Sequence, residues 1–177
     1  MLSAMKEKLK DDGYWMGKAL AQAERAARLG EVPIGAVLVR DGRVIGRGCN
    51  RREGKNDPSA HAEMIAIRQA AARLGAWRLT GTTLYVTLEP CPMCMGAIIL
   101  ARIERLVFGC LDPKAGAAGS LYDLATDRRF NHQVAVAAGV REEECSAVLS
   151  GFFRELRLQK KALRTSGADE QLNFPPE

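Results

Sequence analysis

Apolar residues recur along the chain with two different periods, one typical of helices and one typical of strands. Residues 14–29 carry apolar positions at helical spacing and are followed by Gly30, which predicts an amphipathic helix. Residues 34–40 and 43–49 are two apolar runs separated by Asp41-Gly42, a dipeptide typical of a tight hairpin turn. These patterns predict a helix followed by a β-hairpin.

The later patterns alternate between helix and strand. Asp57-Pro58-Ser59 resembles a helix start, and apolar positions continue at helical period as far as Gly75. Further along we predict a strand at 82–87, a helix at 93–101, a strand at 105–108, a glycine-rich loop at 112–119, a turn or short helix at 121–124, a strand at 133–138 and a helix at 141–164. This order predicts an α/β fold with three α/β/α layers, in which helices cover both faces of a five-stranded mixed sheet. We expect a single domain over residues 1–164 and a disordered polar tail over residues 165–177.

Composition is that of a compact enzyme. The chain has 177 residues, of which 47% are apolar, enough for one substantial core. Residues 1–12 are charged and lack the apolar run of a secretory signal, and no stretch approaches the ~18 apolar residues of a membrane span. Five cysteines, two of them in a metal-like motif, argue against a disulfide framework. We therefore expect a cytoplasmic protein in which Cys49, Cys110 and Cys145 are buried apolar side chains.

Two short motifs carry the candidate chemistry: His61-Ala62-Glu63, and Pro90-Cys91-Pro92-Met93-Cys94. One imidazole and two thiolates suit a tetrahedral zinc ion, and three protein ligands leave a fourth position for water. Both motifs lie at predicted helix starts, so the positive ends of two helices would point at one metal. His61 and Glu63 are two residues apart and face different ways on a helix, which leaves Glu63 as a carboxylate beside the metal rather than a ligand.

Two other interpretations of these motifs are a structural zinc site with Cys49 as fourth ligand and a redox pair of thiols. A closed structural site has no need of Glu63, and a redox pair has no need of His61. The two motifs together therefore favour a catalytic metal.

The His-x-Glu and Pro-Cys-x-x-Cys runs form the signature of zinc nucleobase deaminases, and residues 14–157 resemble the bacterial tRNA-specific adenosine deaminases in particular. The resemblance rests on Glu-Val-Pro-Ile-Gly-Ala-Val at 31–37, Asp-Pro-Ser-Ala-His-Ala-Glu at 57–63, Leu-Tyr-Val-Thr-Leu-Glu-Pro at 84–90 and Lys-Ala-Gly-Ala-Ala-Gly-Ser at 114–120. Only the last run distinguishes this family from other nucleobase deaminases, while Pro113 after Asp112 is a local departure from it.

The resemblance implies a cytidine-deaminase-like fold, one zinc ion per subunit, and conversion of adenosine to inosine at the wobble position of a tRNA anticodon. His61, Cys91 and Cys94 would bind zinc, which lowers the pKa of its water toward ~7. Glu63 would pass the proton of that water to N1 of adenine and later help to protonate the leaving amino group.

The resemblance also implies substrate contacts, for some of which the residues alone allow another interpretation. Asn50 would hydrogen-bond the target base, or simply end a strand in a turn. Asp112 would contact a ribose hydroxyl, or cap the turn that follows it. Asn131 and His132 would lie near the flipped nucleotide, although a lone histidine is more often structural. Ala62 completes this group.

Positive charge supports a nucleic-acid partner. The formal net charge is +5, and the last predicted helix is rich in basic residues after a Phe152-Phe153 pair. A basic helix with adjacent aromatic rings can bind phosphates and stack an unpaired base, so we predict RNA contacts by Phe153, Arg154 and Arg157. The alternative is a solvated helix face with one phenylalanine packed on the sheet. The other basic residues of these two groups are Lys160, Lys161 and Arg164 on the same helix, and Arg51, Arg52 and Lys55 before the first metal motif.

The helix at 93–101 is apolar on nearly all sides, so it is either enclosed in the core or covered by a second subunit. The resemblance implies a homodimer. Two other functions remain open from the residues: a deaminase of a free substrate such as guanine, cytosine or a nucleotide, and a non-catalytic RNA-binding subunit. Positive charge and the 114–120 run argue against the first, and Glu63 argues against the second.

Overall fold

The computed structural model describes residues 11–165. The predicted tail at 165–177 lies outside this range except for Thr165, which ends the last helix. The elements in chain order are α1 Asp12–Arg28, β1 Gly35–Arg40, β2 Arg43–Cys49, α2 Arg52–Lys55, α3 Ala62–Leu74, β3 Thr83–Leu88, α4 Pro92–Leu100, β4 Arg105–Cys110, β5 Ala135–Ala137 and α5 Glu142–Thr165.

The strands form one mixed sheet in the order β2-β1-β3-β4-β5. β1 is antiparallel to both β2 and β3, whereas β3, β4 and β5 are parallel to one another. One apolar cluster joins α3 and α4 to one face of the sheet, and a second joins α1 and α5 to the other face. The predicted α/β architecture with a five-stranded mixed sheet and two helical layers is confirmed.

Two glycines of β2 let α3 lie unusually close to the sheet. A Cβ atom at Gly48 would be 1.9 Å from the carbonyl oxygen of Ala62, and one at Gly46 would be 2.2 Å from that of Ala66. Real Cβ atoms essentially never approach another heavy atom within 3.0 Å, so neither position accepts a side chain while α3 stays in place. Because Ala62 is the first residue of α3, this packing also fixes where the first metal motif sits.

Several predicted boundaries were wrong. Asp57 does not begin α3: its Oδ1 accepts hydrogen bonds from the Ser59 backbone (2.8 Å) and hydroxyl (2.7 Å), which makes a separate turn. The helix begins five residues later, with His61 as its N-cap. Residues 121–124 form no helix, and Asp123 instead pairs with Ala118 in an isolated bridge. β5 has only three of the six predicted residues, and the basic segment before α3 contains the unpredicted one-turn helix α2.

Within residues 11–165, the structure has no helix that combines the length and the apolar character needed to cross a bilayer.

Candidate active site

Three side chains with metal-binding atoms meet where α3 and α4 begin. His61 and Cys91 are the N-cap residues of these helices, and Cys94 lies in the first turn of α4. His61 Nδ1 is 3.6 Å from the sulfur of Cys91 and 3.6 Å from that of Cys94. Along the described part of the chain, this is the one group of three or more potential ligand residues whose atoms all lie within 4.8 Å of one another.

The spacing of these atoms fits a tetrahedral zinc ion. Zn–N bonds of about 2.0 Å and Zn–S bonds of about 2.3 Å at tetrahedral angles place nitrogen and sulfur about 3.5 Å apart. The observed separations of 3.6 Å agree with that geometry. Cys49 is outside the group, so the structure offers three protein ligands and does not support the four-ligand structural alternative.

The electrostatics of the group favour a thiolate. The hydrogen bond from Cys94 has the largest effect and the one from His61 a smaller effect, and together they lower the pKa of Cys91 to about 4. The hydrogen bond between the two cysteines, together with burial, raises the pKa of Cys94. The thiolate is the form in which cysteine binds a metal, so at least one sulfur is prepared for coordination.

Glu63 lies in the first turn of α3 and is 4% exposed. Burial raises its pKa above the usual range for a carboxyl group. A buried carboxyl group with a raised pKa, next to potential metal ligands, is of the type that transfers protons in active sites. The structure thus places the predicted proton shuttle beside the three-ligand group.

Asn50 is buried at the end of β2, and a carboxylate that the sequence analysis did not single out holds it there. Glu31 Oε2 lies 3.4 Å from Asn50 Nδ2 and accepts the backbone N–H of Glu53 at 3.2 Å. Glu31 Oε1 accepts the N–H of Gly54 at 2.8 Å, and the side chain is 1% exposed. The only sequence signal for this role of Glu31 was a charged residue in an otherwise apolar stretch that includes Pro33.

Asp112 shows the capping geometry that the sequence left open. Its Oδ1 accepts the backbone N–H groups of Lys114 at 3.0 Å and Ala115 at 3.1 Å. Its own N–H donates to Glu89 at 3.0 Å, a second buried carboxylate that the motifs did not mark as functional. The loop that contains Asp112 therefore starts from a fixed turn next to the metal motif.

Asn131 and His132 lie at the other end of the sheet from the three-ligand group. His132 Nε2 is 2.7 Å from the carbonyl oxygen of Ile103, just before β4 begins. The backbone carbonyl oxygen of Cys110, at the far end of β4, accepts the N–H of Glu89 near the metal motif. A six-residue strand spans about 17 Å, so the structure does not bring this pair to the ligands of its own chain. The predicted nucleotide contact of these two residues stays a prediction.

The predicted RNA-contacting residues of α5 are on its surface. Phe153 is 40% exposed, and Arg154 and Arg157 are exposed. Phe152 contacts Phe153 edge to face, with ring centroids 5.6 Å apart, and lines a cleft with Ala27 and other residues at the end of α1. Ala62, the remaining predicted substrate contact, is fully buried, so its side chain has no exposed surface in this structure.

α4 is buried on one side only. Cys94, Met95, Ile98 and Ile99 face the core, whereas Met93 and Leu100 are exposed. Further large apolar side chains exposed after β4 are Leu111, Leu121 and Tyr122.

Comparison with known proteins gives one consistent result. Residues 10–157 match the family described as MafB19-like deaminase. The tRNA-specific adenosine deaminase of Bacillus subtilis (strain 168) is 56% identical over 153 residues, which cover 86% of this chain and 95% of that protein. A structure from a study of A-to-I editing by tRNA:A34 deaminases at the wobble position of transfer RNA matches with a TM-score of 0.74 and 48% identity, covering 77% of this chain and 99% of the other. The structure of guanine deaminase from Bacillus subtilis matches with a TM-score of 0.54 and 41% identity, covering 60% of this chain and 68% of the other.

Proposed function

Because the chain belongs to the tRNA-specific adenosine deaminases, we propose that it hydrolyses adenosine to inosine at the wobble position of a tRNA anticodon. The observation that carries the proposal is the buried Glu63 carboxyl next to a three-ligand group, in a chain 56% identical to such a deaminase over nearly that protein's full length. A tRNA substrate also supports the expected cytoplasmic location.

His61, Cys91 and Cys94 would hold one zinc ion per subunit, as their separations fit its bond lengths. Zinc bound there would lower the pKa of a water molecule to ~7, which makes hydroxide available at neutral pH.

Glu63 performs the proton transfers. Its carboxylate accepts the proton of the attacking water and delivers it to N1 of adenine, which makes C6 more electrophilic. The oxygen bonds to C6, and Glu63 then accepts the remaining proton of that C6 hydroxyl and passes it to the amino group. The C6–N bond breaks as the C6=O bond forms, and ammonia leaves. Water and adenosine are consumed, and inosine and ammonia are released. Burial raises the pKa of Glu63 above the usual range for a carboxyl group.

Binding of the base and its strand falls to residues around this centre. Asn50 would hydrogen-bond the target base, held in place by Glu31, and the Ala62 backbone would form the adjacent wall. Asp112 would contact the ribose, while Phe153, Arg154 and Arg157 would bind the RNA strand along α5. We retain Asn131 and His132 as nucleotide contacts. Because they lie far from the three-ligand group of their own chain, they would contact another part of the RNA, or act at another site of the assembly.

A homodimer is part of the proposal. A second copy would cover the exposed side of α4, with Met93 and Leu100, and the exposed Leu121 and Tyr122.

The function is tested with a synthetic anticodon stem-loop that has adenosine at the wobble position, run beside free adenosine, guanine and cytosine. We expect inosine in the stem-loop alone, and its loss after treatment with a zinc chelator. Glu63→Ala should retain zinc and lose turnover by about a hundredfold or more, because general acid–base catalysis contributes that much. Turnover of guanine with the RNA untouched would instead identify a free-base deaminase, and normal activity of zinc-loaded Glu63→Ala would refute the proton-shuttle role.

A further inference from the structure

Glu89 is a buried carboxylate that the proposed chemistry does not use. It lies one residue beyond β3 and two residues before Cys91, and it is 2% exposed. A buried charge is stable only when it is fully hydrogen-bonded, so its partners show what it is there to hold. All the side-chain hydrogen bonds that the structure shows for it lead to one segment, residues 112–120, which we name the specificity loop.

The carboxylate holds both ends of the specificity loop. Oε1 accepts the backbone N–H groups of Ala118 at 3.0 Å and Ser120 at 2.9 Å. Oε2 accepts the N–H of Asp112 at 3.0 Å and also the hydroxyl of Ser120. Residues eight positions apart in the chain thus share one anchor.

The loop is fitted closely to this anchor. A Cβ atom at Gly116 would lie 2.3 Å from Glu89 Oε2, so the loop can close over the carboxylate only with glycine at this position. Ala117 donates its N–H to the carbonyl oxygen of Pro90 at 2.8 Å, directly before the ligand Cys91. These bonds fix the position of the loop relative to the three-ligand group.

We propose that Glu89 is a positioning residue for the RNA substrate: its carboxylate holds the specificity loop, and with it Asp112, at the height above the metal group where the anticodon loop is bound. The inference rests on the proposed function. Glu89 lies outside the three-ligand group, so we expect binding of the RNA to depend on it more than the chemical step does.

The test is Glu89→Gln in the full-length, zinc-loaded protein, with kcat and KM measured on the wobble-adenosine stem-loop. In either orientation the new amide turns an NH2 group toward a backbone N–H that needs an acceptor. We expect KM to rise about tenfold to a hundredfold, the range for loss of a charged hydrogen bond. We expect kcat to change by less than about threefold and the zinc content to stay at one per chain, since the ligands are untouched.

A second variant removes the dependence on how Glu89→Gln folds. Ser120→Ala deletes one hydroxyl from the same carboxylate and should raise KM about threefold to tenfold. The effects of the two changes should not add, because both act on one contact. Ser150→Ala is the matched control, because its hydroxyl donates to the Ala147 carbonyl within α5.

An unchanged KM in either variant, or a loss of zinc together with kcat, would overturn the positioning role. Failure of the wild-type protein to deaminate the stem-loop would count against the proposed function instead.

Discussion

Replacing Gly48 by alanine should damage the metal centre through the packing of a helix. The added Cβ would lie 1.9 Å from the Ala62 carbonyl oxygen, whereas ordinary contacts begin at 3.4 Å. The start of α3 would have to move by about 1.5 Å, at the cost of about 1 to 3 kcal/mol typical of overpacking. Metal–ligand distances tolerate only about 0.2 Å. His61, next to Ala62, would then no longer meet the two sulfurs.

The assay compares three glycine-to-alanine variants by urea unfolding and by zinc content after dialysis. Gly46→Ala makes a 2.2 Å contact with Ala66, one turn further into α3, and should destabilise the fold to a similar extent while retaining more zinc. In α5 the Cβ added at Gly151 meets nothing within 4 Å, so this variant should gain up to about 1 kcal/mol from helix propensity. Wild-type stability and full zinc content in Gly48→Ala would refute the argument that close packing on β2 sets the position of His61.

Three further predictions follow from other parts of the structure. Arg105 donates two hydrogen bonds of 2.7 Å to Asp12 and lowers its pKa. Because the pair is partly exposed, Asp12→Asn should lower the free energy of unfolding by about 1 kcal/mol or less. Because the pKa of Asp12 is lower in the folded protein, this difference in stability should be complete above pH ~3.9 and decrease as the pH falls through the folded pKa. Urea unfolding of both proteins between pH 6 and pH 3 measures it, and a difference that stays constant would contradict the prediction. The double variant Arg154→Glu, Arg157→Glu should weaken stem-loop binding and flatten its salt dependence by about 0.7 in slope per lost phosphate contact. Arg43→Glu is the control: Arg43 begins β2, at the end of that strand away from Asn50, and the slope should stay unchanged. Leu100→Glu should convert the proposed dimer to a monomer in sedimentation measurements without loss of fold, since Leu100 is 69% exposed, while Leu158→Glu, at a 62% exposed position on α5, should leave it unchanged.

The sequence predicted the sheet and the metal group because both depend on local patterns. Strand and helix periods predict the main elements, and ligand chemistry predicts the grouping of His61, Cys91 and Cys94 that the structure shows. The start of α3 was misplaced because Asp57 and Ser59 make the same kind of side-chain-to-backbone bonds in a free turn as at a helix N-cap. His132 could not be placed because its partner, the Ile103 carbonyl, is a main-chain atom 29 residues away.

The two carboxylates that the sequence analysis missed show how this site separates chemistry from recognition. Glu31 and Glu89 are as buried as the proposed proton shuttle Glu63, and both hold backbone N–H groups of segments that border the three-ligand group, beside the Asn50 amide and the Ser120 hydroxyl respectively. Their partners are 19 to 31 residues away, so no local spacing marks them. A charge surrounded by backbone donors fixes its segment firmly, since removal of the charge leaves several buried donors unpaired. Segments held in this way can change in exposed sequence while the ligands and Glu63 stay where they are, and the surface that reads the RNA can therefore differ between deaminases that share one metal chemistry.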